Sequence, residues 1–430
     1  MIIAVFLLGL VLLFLMGFGA PYAIGLISIV VLIMTRGLTN IPLDMVATKL
    51  AFSANNFTLL AIPFFLLAGK LMNTGSITTR IFRFCNTLIG WIPGGLGHAN
   101  ILASIVFAGM SGSAVADAAG LGTIEIKAME KEGFDTDFSA AVTAASSTIG
   151  PIIPPSIPLI VFGVSAGGVS IAKLLIGGIL PGLLVGICLS VMVYIFAVKR
   201  KYPRSEFPTG RKLWDDFRHA FWPLLTPVIL IGGILSGIFT PTEGAAVASL
   251  YAFVLTMFVY REISWKDFAL ILRDTAKESA SIMFIVCASS LYGYLLTRTQ
   301  LPTLFMNMIF SVTESKILIL LLLNVFFLVI GCFMETNAAL IILVPILAPM
   351  ATALNIDMLH LGVMIVLNLM IGLLTPPVGM CLYATAKVAN ISLDRMIKAT
   401  APFYIPLIIA LLLVTFCPGI VTWLPNLLIK

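Results

Sequence analysis

GMSGSAVADAAGLGTIEIKAMEKEGFDTDFSAAVTAASSTIGPIIPPS, residues 109–156, lies over GCFMETNAALIILVPILAPMATALNIDMLHLGVMIVLNLMIGLLTPPV, residues 331–378, at a shift of 222 without a gap. Gly109 falls on Gly331, Asp135 on Asp357, Gly150 on Gly372 and Pro154-Pro155 on Pro376-Pro377, and further on Ser170 falls on Ser392. Both copies run alike: apolar stretch, small polar break, apolar stretch, short charged turn, apolar stretch, Gly/Pro break. Interrupted hydrophobic segments at matching places in two halves are the sequence pointer to a transporter's midplane binding site.

The surrounding composition sets the solvent. The chain has 430 residues, 60% hydrophobic and 10% charged, with mean hydropathy +1.12. A soluble domain carries about 25% charged residues, so this is a polytopic membrane protein. Runs 1–18, 21–34, 174–198, 221–239, 244–260 and 399–424 approach the ~20 residues of a spanning helix. The first lacks a basic n-region and a second apolar segment follows it at once, so it reads as a retained helix, not a signal peptide.

Residues 199–218 (KRKYPRSEFPTGRKLWDDFR) hold seven Lys/Arg against three acids, which reads as a cytoplasmic loop and not a nucleic-acid site. Six scattered cysteines without CxxC spacing read as buried thiols, not metal or redox chemistry.

The stretch 94–124 is too long for one upright span and too short for two with a turn. Its central GMSGS weakens a helix, which fits a re-entrant hairpin whose tip is shielded by protein. Residues 317–354 repeat this around GCFMETN (331–337). One long kinked helix is the alternative in each case; the matching midpoints favour hairpins. The runs SSTIGPIIPPSIP (146–158) and NLMIGLLTPPVG (368–379) read as discontinuous helices, because clustered Gly and Pro end one helix and start another. Pro154-Pro155 and Pro376-Pro377 would suit the first turn of the new half-helix. Amphipathic segments at 77–92 and 299–314 read as interfacial helices.

With 199–218 inside, hairpins non-crossing and broken helices crossing, nineteen Lys/Arg fall inside and six outside (36, 49, 173, 298, 316 and 430). The first hairpin then opens to the cytoplasm, the second to the periplasm, and the copies are inverted repeats.

The tips carry Ser111, Ser113 and Asp117 in one copy and Glu335, Thr336 and Asn337 in the other. The breaks add Ser146, Ser147, Thr148, Asn368 and Thr375. Hydroxyls, amides and unbonded carbonyls suit an alkali cation, and the N-termini of the new half-helices suit an anion. The bland reading is close helix packing by small residues. Acids inside a bilayer are costly and usually functional, which singles out Asp117, Glu335 and Glu243, with Glu335 foremost. Glu243 reads equally as a helix-start residue, and Arg298 as a carboxylate partner or a lipid-interface residue. His98, His219 and His360 read as packing or interface histidines. GMSG matches the Gly-x-Ser-Gly pattern of rhomboid-type intramembrane serine proteases, but the nearest histidine, His98, lies on the same expected arm. No P-loop or HExxH is present, so the chain does not hydrolyse ATP.

GMSGSAVADAAGLGTIEIKAMEKEGFD (109–135), GPIIPPS (150–156), FTPTEGAAVA (239–248) and GLLTPPVG (372–379) together resemble the large membrane subunit of TRAP transporters, across essentially the whole chain and most of all the sialic-acid-type members. The resemblance implies an all-α, elevator-type secondary transporter without enzymatic activity in a bacterial inner membrane, built from inverted repeats with two re-entrant hairpins and two discontinuous helices. It also implies a small four-helix membrane subunit and a periplasmic binding protein as partners, a carboxylate substrate, Na+ as coupling ion, and no other cofactor. The division that follows is scaffold at 1–76 and 219–298, interfacial arms at 77–92 and 299–314, transport repeats at 93–198 and 315–430, and the loop 199–218. Carried over, the sodium residues are Ser111, Ser113, Asp117, Gly150 and Pro154, and Gly331, Glu335, Asn337, Gly372 and Thr375. Substrate residues are Ser113, Ser147, Thr148, Pro155, Thr336, Asn337, Pro376 and Arg298. The family often has Asn where this chain has Ser113, which leaves that side chain's role open. A stand-alone carboxylate symporter or exchanger of the same architecture is the alternative.

Overall fold

Gly and Pro punctuation, more than hydropathy, sets the first hairpin tip and both helix breaks, whereas Lys316–Phe333, Thr336–Ala353 and Met380–Ala389 stop without either. The computed structural model describes residues 2–37, 41–73, 75–313 and 315–429, and these form helices joined by short turns with no strand among them. Residue 314, the end of the second expected interfacial arm, and Lys430, counted among the outside charges, lie beyond the described residues.

In the first copy, helix Gly95–Ser111 ends on Gly112, whose φ of +63° is the left-handed stop that glycine tolerates. Ser113 then caps Ala114–Ala119, its Oγ accepting from the Ala116 amide at 3.4 Å. A second kink at Gly120 leads into Leu121–Lys131, so the hairpin runs to 131 and not to 124. In the second copy, Lys316–Phe333 breaks at Met334, and Glu335 caps Thr336–Ala353. Lys316 Nζ donates to the Asn355 carbonyl at 3.0 Å, which holds the two ends of this hairpin together.

The broken helices match in form. Thr136–Ser147 stops before Gly150 and resumes as Ile157–Ala166; Met358–Gly372 stops and resumes as Met380–Ala389. The proline pairs are not in the first turn of the new helices, as their sequence suggests. Both lie inside the break, each joined by a cis peptide. A proline bars the residue before it from the helical region, so the helix resumes only where a cap is available. In the first copy that cap is Ser156, whose Oγ accepts from the Leu159 amide at 3.2 Å; in the second the N-cap position is Gly379.

The two hairpins enter from opposite faces. Beside the first hairpin's base, Phe138 packs on Phe403 at 6.0 Å and on Phe196 at 5.7 Å. At the base of the second, His360 Nε2 meets the Val414 carbonyl at 2.8 Å. Phe403 and Val414 belong to one helical run, Leu393–Phe416, about 16 Å apart at 1.5 Å per residue. The repeats are therefore inverted. Polar staples tie each first arm to its broken helix. Ser146 Oγ donates to Asn100 Oδ1 at 2.7 Å in one copy, and at the matching position Asn368 Nδ2 donates to Asn324 Oδ1 at 3.0 Å in the other.

Ile171–Arg200 closes the first repeat, and around the repeats stand Gly210–Leu235, Pro241–Val259 and the 34-residue Trp265–Arg298. The expected span 399–424 is interrupted at Pro418, after which Gly419–Leu428 forms a separate helix. The basic loop is shorter than 199–218, because Gly210–Leu235 begins inside it and turns Asp216 inward. Asp216 is 1% exposed, accepts from Thr87 Oγ1 at 2.6 Å and is ion-paired with Arg83 Nε at 2.6 Å, fastening helix Gly75–Ile89. Asp216→Ala leaves the Thr87 hydroxyl buried without its acceptor, an expected loss of about 1–3 kcal/mol. A lowered melting temperature in detergent reads this; the 62%-exposed Arg83 guanidinium rehydrates in that variant, whereas Arg83→Ala strips the buried Asp216 carboxylate of its counter-charge and should cost at least as much.

Candidate functional site

The first tip folds onto its own carboxylate. The Ser111 hydroxyl donates to Asp117 Oδ1, and the Ser113 amide donates to Ser111 Oγ at 3.2 Å. Asp117 is 1% exposed, and its Oδ2 has no hydrogen-bond partner among the described residues. Around that oxygen the first break closes in: a Cβ added at Gly150 would lie 2.4 Å from Asp117 Oδ2 and 3.2 Å from the Ser147 carbonyl. A Cβ at Gly112 would lie 2.4 Å from the Pro155 carbonyl, so tip and break touch through backbone. Gly69 seats against the same tip, its added Cβ 2.9 Å from Ser111 Cα.

This donor set is a carboxylate oxygen without a partner, a serine hydroxyl and helix-end carbonyls. It suits a small hard cation, whereas no cluster of three or more His, Cys, Asp or Glu suited to a metal ion occurs among the described residues.

The second tip is built differently. Asn337 Nδ2 donates to Glu335 Oε1 at 2.7 Å and the Ala338 amide to Oε2 at 2.9 Å, so both carboxylate oxygens already hold donors. The buried side-chain oxygens there without partners among the described residues are Thr336 Oγ1 and Asn337 Oδ1. Tip and break again meet through backbone: a Cβ at Gly372 would lie 2.5 Å from Gly331 Cα. The Val378 amide donates to the Cys332 carbonyl at 3.3 Å, and Thr375 Oγ1 donates to the Gly372 carbonyl at 2.8 Å.

Between the tips lies a cavity of about 250 Å³, with Ser113 on one side and Glu335, Thr336 and Asn337 on the other. The starts of both new half-helices, Ile157 and Met380, complete the wall, and helix Trp265–Arg298 contributes Glu278. Hairpins from opposite faces thus reach one chamber, near the lower bound of ordinary small-molecule pockets.

Several expected substrate contacts are not brought to this chamber. The Ser147 and Thr148 hydroxyls donate to the Ala144 and Ala145 carbonyls at 2.8 and 2.6 Å, and neither residue lines the cavity. The Pro155 carbonyl faces Gly112 of the tip, and neither Pro155 nor Pro376 is in the chamber wall. Arg298 donates to the Tyr294 hydroxyl at 3.0 Å, about 30 Å along its helix from Glu278 at 1.5 Å per residue. Glu243 closes a capping box with Thr240 at the start of Pro241–Val254, the helix-start alternative. Ser111 engages Asp117, while His98 Nε2 has no partner among the described residues, so no serine–histidine pair forms among them.

The sequence pattern does not single out Glu278, Lys70 or Glu125. Lys70 Nζ lies 2.8 Å from Glu278 Oε2. Glu125 is fully buried with both oxygens unpartnered among the described residues, although the charged run around it reads as a surface turn. Glu278 closes the charged first part of its helix, directly after Lys277, so no local signal separates it from surface charges.

Comparison with known proteins bears on the same segments. The family described as the DctM component of tripartite ATP-independent periplasmic transporters matches residues 7–420. The sialic acid TRAP transporter large permease protein SiaM of Vibrio cholerae is 44% identical over 411 residues, covering 95% of each chain. The C4-dicarboxylate TRAP transporter large permease protein DctM of Pseudomonas aeruginosa is 40% identical over 380 residues, covering 88% of this chain and 89% of that protein. The sialic acid TRAP transporter permease protein SiaT of Haemophilus influenzae is 44% identical over 381 residues, and the match spans only 62% of its length. Among solved structures, the Alcanivorax borkumensis YdaH transporter superposes with a TM-score of 0.65 at 14% identity, covering 89% of this chain and 90% of that one, a likeness of fold alone.

Proposed function

The chain belongs to the DctM component family of tripartite ATP-independent periplasmic (TRAP) transporters, and from this premise we propose that it imports a carboxylate by coupling to sodium. It is a multi-pass membrane permease of that class and not an enzyme. The observation that carries the sodium reading is the Asp117 oxygen, unpartnered among the described residues, held close to Gly150, whose added Cβ would also meet the Ser147 carbonyl. A bound Na+ there supplies the missing partner and draws tip and break together. In the second copy Thr336 and Asn337 offer free oxygens, while the Gly372 carbonyl accepts from Thr375. The substrate occupies the chamber between the tips, meeting the N-termini of the new half-helices.

Carboxylates are favoured because relatives are named for sialic acid and for C4-dicarboxylates, and sialic acid is the first to test. A binding protein in the periplasm would deliver it, and a small membrane subunit would complete the complex in a bacterial inner membrane. The movement we assign is of elevator type: the hairpins and broken helices slide past helix Trp265–Arg298, which walls the chamber on one side. Scaffold at 1–76 and 219–298 and transport repeats at 93–198 and 315–430 is the division this motion requires.

The test is uptake of labelled sialic acid into proteoliposomes holding the chain with its partner proteins. An inward sodium gradient should drive accumulation, and collapsing it should lower the initial rate at least about tenfold. Unchanged uptake without the gradient ends the coupling claim.

A further inference from the structure

The charge of the chamber presents a problem for any anionic substrate. Glu278 and Glu335 both line it, and no Lys or Arg does so among the described residues. Yet one cation stands directly behind the wall. Lys70 pairs with Glu278 Oε2 at 2.8 Å, both partly exposed at 28% and 44%. The neighbouring Gly69 is pressed on Ser111 of the first tip, so the chain at Lys70 is fixed beside the tip that bears Ser113. Arg298, the other candidate for a carboxylate, is held near Tyr294 at the far end of the same helix as Glu278.

We propose that Lys70 is the carboxylate-binding cation of this site, and that Glu278 occupies it until substrate arrives. The inference rests on the carboxylate reading above. A lysine ammonium is a point charge on a flexible four-carbon stem with three donors, so it can exchange one carboxylate for another by rotating that stem. Substrate entering the chamber competes with Glu278 for Nζ, and the displaced Glu278 turns to the water of the cavity, to which it is already open. The pair thus holds the lysine charged and near the chamber while making unoccupied sites less attractive to weakly bound anions. Selection is then for acids whose carboxylate reaches Lys70 while the rest fills the space between the tips.

The two partners should respond with opposite signs, which a simple structural bridge between helices Ala61–Met72 and Trp265–Arg298 does not do. In the sodium-driven uptake assay, Lys70→Met should raise KM for sialic acid at least about tenfold, with Vmax and the sodium half-saturation within about twofold of wild type. Glu278→Gln frees the ammonium and should lower KM. Lys70→Arg, which keeps the charge, should stay near wild type and serves where the methionine variant folds poorly. One outcome overturns the proposal: Lys70→Met and Glu278→Gln both raising KM. A wild type that transports neither sialic acid nor succinate refutes the carboxylate reading itself, a failure distinct from equal-sign effects in an active protein.

Discussion

Asp117→Asn should lower sodium-driven uptake roughly 100-fold at limiting sodium while leaving the fold intact. Asparagine preserves the volume and can still accept from the Ser111 hydroxyl, which donates to Oδ1. It removes the charge, and it replaces the unpartnered oxygen beside Gly150 with an amide if the oxygen stays on Ser111. Removing one partner from a buried charge pair costs about 3–5 kcal/mol. The lower figure corresponds to about two decades of sodium affinity at roughly 1.4 kcal/mol per decade. The measurement is the sodium dependence of uptake, with melting in detergent as the control for folding. A variant with wild-type sodium half-saturation would remove Asp117 from the sodium site. Glu335→Gln should have a smaller effect, because both Glu335 oxygens already hold donors as a helix cap.

The second large effect is structural. Gly372→Ala should destabilise the chain by about 3 kcal/mol, the upper end of the usual overpacking range. The added methyl would meet Gly331 Cα at 2.5 Å and its carbonyl carbon at 2.6 Å, and backbone cannot rotate away as a side chain can. Gly331→Ala is the milder partner, its Cβ 3.0 Å from Gly372 Cα. Gly232→Ala, with nothing within 4 Å of the new atom, is the neutral control. Yield and melting temperature of the purified chain decide it, and a Gly372→Ala protein as stable as wild type would mean that tip and break are not held in this contact.

Much of this architecture is written in the sequence because helix breaks are local. Gly109-Met110-Ser111-Gly112 and the Pro-Pro pairs declare themselves without any knowledge of neighbours, and the repeat shift of 222 pairs them correctly. What the sequence does not carry is which oxygen a folded neighbour leaves unpartnered. Asp117 and Glu335 look equivalent as acids at tips, yet Asn337 and the Ala338 amide satisfy both Glu335 oxygens while Ser111 satisfies only one of Asp117's. Ser147 and Thr148 look like site hydroxyls, but a helix end consumes them locally. Arg298 and Lys70 are both cations near polar segments; only the distance along Trp265–Arg298 separates the one that flanks the chamber from the one that does not.

That helix also sets how the protein sits in lipid. Its 34 residues extend about 51 Å at 1.5 Å per residue, against a hydrocarbon thickness of about 30 Å. The excess falls at the end carrying Lys266, Asp267, Arg273, Asp274 and Lys277, leaving the apolar run from Ser279 onward to span. Glu278 then marks the edge of the acyl region. A thinner bilayer is met by tilting, which raises or lowers that edge relative to the tips. Acyl-chain length in the reconstituted membrane thereby becomes a control over how readily the chamber is wetted.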